Sequence, residues 1–172
     1  MNKLITLFLI VGLTGCSLFA KKVEANTNIN GNVESRFTVN TDTVGYYGNP
    51  NAYTLTTLPA SNGQVPIVRV DTSLANAYKA QISYPTSFSS SPSLSDTVAW
   101  TGAVATGQTS VSGMSAYQAA STTTGAKRIY GLTLAGTTWF TVASTATYGG
   151  GGNKAFPGGS YKAVVLAECI AQ

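Results

Sequence analysis

No stretch of this 172-residue chain keeps apolar side chains at helical spacing over any length. β-Branched and aromatic residues instead recur in short runs, broken by Gly, Pro, Asn and Ser. That pattern restricts the chain to an all-β fold of short strands with chemically marked turns. Strands are predicted over residues 27–40, 53–58, 65–71, 77–84, 97–101, 127–134, 137–144 and 160–170. Gly48-Asn49-Pro50-Asn51 and Ser61-Asn62-Gly63 supply fixed or positive φ between them. Ala135-Gly136 reads as a tight hairpin turn. Residues 86–96 and Gly149–Gly152 read as loops, and Met114–Ala120 could form one helical turn. Strands at this spacing predict a β-sandwich or barrel, with Trp100, Trp139, Phe140, Tyr84, Phe88 and Tyr161 as the large core candidates.

The first residues specify export. Lys3 precedes an apolar run, Leu4 to Leu13, that is too short for a membrane span of ~20 residues and fits a signal-peptide core. Two processing outcomes compete. Leu13-Thr14-Gly15-Cys16 has the form of a bacterial lipobox, which would lipidate Cys16 and tether the protein to a membrane. Val23-Glu24-Ala25 has the small-residue spacing of an ordinary signal-peptidase site, although the charged Lys21-Lys22 pair is atypical there. Residues 1–25 are thus the export signal, residues 26–40 an extended N-terminal strand, and residues 41–172 one β-sandwich domain.

Composition narrows the function. Charged residues are 9% of the chain against a typical ~25%, with Thr, Ser, Ala, Gly and Asn in their place, which suits an exported β-protein. Much of the formal charge of +4 sits at Lys3, Lys21 and Lys22. The body is close to neutral, and Lys127-Arg128 is its only basic pair, so nucleic acid is not an expected partner. With Cys16 in the export segment, Cys169 is left alone. An unpaired thiol in an oxidising compartment is expected to be buried in the sheet, the sharper alternative being an intermolecular disulfide.

The chain contains no histidine, which removes the commonest general base and metal ligand. Glu34, Asp42, Asp71, Asp96 and Glu168 are scattered and share no motif. Asp71-Thr72-Ser73 reads as a turn closing a strand. Gly149–Gly152 is followed by Asn153-Lys154-Ala155-Phe156-Pro157, not by the helix start that a phosphate cradle needs. No catalytic, cofactor or metal site is predicted, and an enzyme is not expected.

What remains is the leading strand. Ile29, Gly31, Val33, Ser35, Phe37 and Val39 alternate with polar residues and fall on one face of an extended chain. That alternation is long for one strand of a small sandwich. Two functions laid end to end would explain it: residues 27–35 a projecting strand donated to a neighbouring subunit, residues 36–41 the first strand of the domain itself. The plainer alternative is that residues 27–40 are simply the domain's own first strand. A subunit that gives a strand at one end and receives one at the other forms an open, head-to-tail filament.

The leader, the alternating strand, the Ser/Thr/Ala/Gly-rich body and a last strand running from Gly159-Ser160-Tyr161 through Val164-Val165-Leu166 resemble a chaperone–usher fimbrial subunit. The resemblance implies an incomplete immunoglobulin-like sandwich, completed by the N-terminal extension of the next subunit. It also implies a periplasmic chaperone and an usher as partners. The lipobox, and Glu168 and Cys169 in the last strand, depart from that pattern. A lipobox fits better with pilins exported as lipoproteins and trimmed at a basic residue, for which Lys21-Lys22 would serve. The runner-up is an outer-membrane lipoprotein whose loops bind a ligand or glycan through Tyr46, Tyr47, Tyr53 and Trp100.

Overall fold

A computed structural model describes residues 32, 34–113, 122–150 and 154–172. The export segment with Cys16, the donor-strand positions Ile29, Gly31 and Val33, the Met114–Ala120 turn and the end of the Gly149–Gly152 loop lie outside the described residues. The chain divides into units at Asn32/Val33, and the account below concerns the second, Val33–Gln172.

That unit is a sandwich of two antiparallel sheets, as the strand pattern predicts. Among the described residues the strands are β1 (Phe37–Thr43), β2 (Gly48–Asn51), β3 (Thr54–Thr56), β4 (Ile67–Thr72), β5 (Tyr78–Ser83), β6 (Val98–Thr109), β7 (Thr122–Thr124), β8 (Lys127–Leu132), β9 (Gly136–Tyr148) and β10 (Leu166–Ala171). The larger sheet is built on β9. Its first half pairs with β4, its second half with β3, and its other edge carries β6 along nearly the whole length. β1 then adds to β4, and β2 to β3. The smaller sheet has the order β10-β5-β8-β7.

Alternation in β9 decides which face is core. Thr138, Phe140, Val142, Ser144, Ala146 and Tyr148 are buried, while the odd-numbered residues between them are half-exposed. Val68 and Val70 of β4 and Val104 of β6 share that inner face. Across the sandwich they meet Tyr78, Ala80 and Ile82 of β5 and Tyr130 and Leu132 of β8. The Tyr130 ring packs on Phe140 with centroids 4.9 Å apart. Its hydroxyl donates to the Val104 carbonyl at 2.9 Å, so a buried phenol is satisfied across the sheets.

Of the predicted core aromatics, only Phe140 lies in this core. Trp139 has the opposite parity and faces outward between Arg69 and Gln108. Tyr84 packs against the core from its border. Phe88, Trp100 and Tyr161 form a satellite cluster with Phe156, in which Phe88 meets Trp100 at 4.8 Å and Tyr161 at 5.1 Å. Tyr78, Tyr130 and Tyr148 take the core positions instead.

The predicted Ala135-Gly136 hairpin is corrected. β8 and β9 belong to different sheets, so residues 133–135 carry the chain across the sandwich and Gly136, at φ 143°, opens β9. The Gly48–Asn51 turn is also corrected. These residues form the edge strand β2, where Pro50 is tolerated, and the turn lies one step later at Ala52-Tyr53. Ser61-Asn62-Gly63 does turn, with Asn62 at φ 58° closing a 3-10 segment, Pro59–Ser61.

The parity of β9 is directly testable. Phe140→Ala should lower the unfolding free energy by about 3–5 kcal/mol in a urea titration. Trp139→Ala, on the outer face, should cost clearly less. Equal losses would refute this register.

Candidate functional site

The two sheets do not close along the side where β1 and β10 run. Each is the edge of its sheet, and among the described residues no strand pairs with the outer side of either. At one end the two edges abut. Phe37 meets Tyr78 edge-on at 5.1 Å, and the hydroxyls of Ser35 and Tyr78 are hydrogen-bonded. The Arg36 N–H donates to the Ser73 hydroxyl, which itself donates to the Glu34 carbonyl, so the chain entering β1 is fastened at this end.

At the other end a groove of about 450 Å³ opens between Val39–Tyr47 and Ala163–Ala167. Ile67, Val68 and Pro66 form its floor on one side, and none of its lining residues carries a charge. It continues past Tyr46 and Ala163 into a second cleft bounded by Tyr161, Lys162 and Ser89. Local chemistry shapes the groove walls. The bulge between Thr41 and Thr43 ends regular pairing of β1, and only the single Tyr46–Gln64 bridge follows. Opposite, Ala163–Val165 lie between the Ser90–Lys162 bridge and the start of β10, without a ladder of their own.

Exposed apolar surface collects here. Val44 is 74% exposed, Val164 64% and Tyr46 57%, and Leu166 beside them is 50% exposed. A small sandwich normally turns such side chains inward, so an uncharged groove rimmed by them is an unusual feature of this surface.

Phe37 and Val39 stand in β1, within the domain's own sheet, opposite Thr72 and Val70. Ser35 precedes the strand and is held by Tyr78. Residues 34–36 carry no strand, and the 40/41 boundary expected from the sequence falls inside β1. Of the four aromatics considered for a glycan, only Tyr46 is exposed. Tyr47 is turned inward, its hydroxyl 3.2 Å from that of Ser144, and burial pushes its pKa above the usual phenol value. Trp100 is packed on Phe88.

The acids have local partners. Asp71 accepts from Thr137 at 2.6 Å and from Thr38 and the Arg69 guanidinium, each at 3.1 Å. Partial burial opposes its charge, but these bonds prevail and hold its carboxyl below the ordinary range. Asp96 pairs with Lys154, and Glu168 accepts from the Gln81 amide at 2.8 Å. Among the described residues no His/Cys/Asp/Glu group is arranged to hold a metal, and no helix is long and apolar enough to cross a membrane. Comparison with protein-family models, curated proteins and solved structures finds no match to this chain.

The sequence reading missed the groove walls at Val44 and Val164. The signal was present: in Val164-Val165-Leu166 adjacent apolar residues cannot all face one core, so a second apolar environment is implied.

Cys169 lies in β10 behind the groove, half-buried against the core, and burial pushes its thiol up to about 11 from 9.0. The neutral thiol is thus favoured by the folded state. Its stabilisation should be complete below pH 9 and lost as pH rises through about 11. Near pH 9 the Cys169 peptide should label slowly with a thiol reagent in native protein and rapidly in urea, read by mass spectrometry. Equally fast labelling in both would contradict this burial.

Proposed function

We propose that this chain is a structural subunit of a bacterial surface filament, a fimbria or pilus, assembled head to tail by donor-strand exchange. The open, uncharged groove between β1 and the approach to β10 carries this reading. In it the sandwich is of the incomplete immunoglobulin-like kind, and the groove is the acceptor. Residues 26–33 of the next subunit are the donor. They are uncharged, like the groove, and present Ile29 and Val33 on one face with Gly31 between them. Five extended residues, Ile29 to Val33, reach about 17 Å.

Polarity supports the same assignment. The described chain enters β1 beside Ser73 and Tyr78, and Tyr78 pairs with Ala171 at the far end of β10. The groove runs from Val39 within β1 to Tyr47 and lies against the start of β10. Entry point and groove thus lie toward opposite ends of β10, an arrangement that suits a heterologous contact. Export through the leader, and protection of the open side by a periplasmic chaperone before delivery to an usher, belong to the same proposal. Lipidation at Cys16 would make assembly depend on later trimming. The glycan-binding lipoprotein has less support, because Tyr47 and Trp100 are engaged in packing rather than presented to a sugar.

Deleting residues 26–33 should abolish polymers. A synthetic peptide of residues 26–35 should then bind the deleted chain and raise its Tm, with Val164→Lys removing both effects. Polymers that persist after the deletion, or a peptide that leaves Tm unchanged, would refute strand donation.

A further inference from the structure

β6 forms the edge of the larger sheet opposite β1, away from the groove. It pairs with β9 along Val98–Thr109, and among the described residues no strand pairs with its other side. The ladder fixes which backbone groups face out. The Gly149 N–H donates to the Thr97 carbonyl at 2.9 Å, continuing the register Val98↔Tyr148. Odd-numbered residues therefore bond to β9, and Val98, Trp100, Gly102 and Val104 turn N–H and C=O to the open side. Val104 is itself buried and its carbonyl accepts the Tyr130 hydroxyl, so the free edge is Val98 to Gly102.

The edges away from the groove carry devices against strand addition. β2 has four residues and includes Pro50, while β7 has three and runs into Lys127-Arg128. β1 and β10 border the groove already described. β6 has neither charge nor proline in 12 residues, and its register is unbroken from Val98 to Thr106.

We propose that two copies of this chain pair edge to edge through β6, antiparallel about a two-fold axis at Thr101. In this register Trp100 bonds Gly102 of the second copy, and Ala99 faces its Ala103. Two-fold pairing sets a strand against its own sequence, so any charge would stand near its own copy; β6 has none. The small residues allow close approach. Gly102 is required by the domain's own packing, since a Cβ there would lie 2.5 Å from the Tyr84 ring and 2.6 Å from the Ala143 carbonyl. The contact is isologous and leaves the β1/β10 groove free, so it joins copies side by side and does not depend on strand donation.

The test uses the full chain carrying Thr101→Cys. Both Thr101 residues would sit at a non-hydrogen-bonded pair with Cα atoms about 4.5 Å apart, within disulfide reach. Oxidation should give a disulfide-linked dimer on a non-reducing denaturing gel, above the background of the unsubstituted chain. Adding Ala103→Lys should remove it. Denaturant dissolves any filament, and with Cys16 and Cys169 also replaced by Ser the dimer reports position 101 alone. In the unsubstituted chain, hydrogen exchange at the Trp100 and Gly102 amides should slow as concentration rises from micromolar toward millimolar. Absence of the dimer, its persistence with Ala103→Lys, or concentration-independent exchange would overturn the proposal.

Discussion

The larger sheet depends on the pairing of β9. Thirteen residues long, it is the common neighbour of β3, β4 and β6, which would otherwise have no sheet to join. Its alternation also decides the core. A one-residue slip would bury Thr137, Trp139 and Thr141 and expel Phe140, Val142 and Tyr148, so the register is strongly specified. The outer face accepts that choice: Trp139 lies between Arg69 and Gln108, and Asp71 ties β1, β4 and β9 together through Thr38, Arg69 and Thr137.

From β4 onward every connection between described strands except β7–β8 crosses the sandwich. Among the described residues only β2–β3 and β7–β8 are hairpins; β1 waits for β4, β6 for β9, and β5 for β10 near the C-terminus. Such long-range pairing is slow to form and leaves edges open while it does. Those edges are the places where β1 and β10 carry a charge and β2 a proline.

Much of this was legible in sequence because strands buried on one face announce themselves by period. β4, β5 and β8 fall within or close to their predicted ranges, and the all-β class follows from them. What failed had specific causes. The edge strands β2 and β7 are made of Gly, Asn, Pro and Thr and bury almost nothing, so no hydrophobic period marks them. β6 was expected to stop at Thr101, but its pairing with β9 carries it through Gly102 and Gly107, where propensity alone would end a strand. Ala135-Gly136 has the composition of a tight turn; only the pairing partners reveal a crossover. Trp139 was assigned to the core by size, whereas parity placed it outside. The alternation of Ile29 to Val39 was legible in sequence. The groove was not, because it is an absence of pairing between two edges far apart in the chain.

In the proposed assembly, the energetics of the open side would favour an added strand without a covalent link. Fully burying a side chain of Val or Leu size is worth about 1.5–3 kcal/mol. Val44, Val164 and Tyr46 are more than half exposed, so a strand that covers them gains several such increments at once. Each new backbone hydrogen bond adds about 0.5–1.5 kcal/mol net. Against this stands the ordering of the donor, roughly 1–2 kcal/mol per residue for its backbone. In the proposed assembly, selectivity would turn on how well Ile29 and Val33 fill the space beside Val164 and Ile67, since any extended peptide could supply the hydrogen bonds. Gly31 between them would let the backbone approach the groove floor. Specific pockets for alternate residues on a generic ladder are what distinguish one extended chain from another.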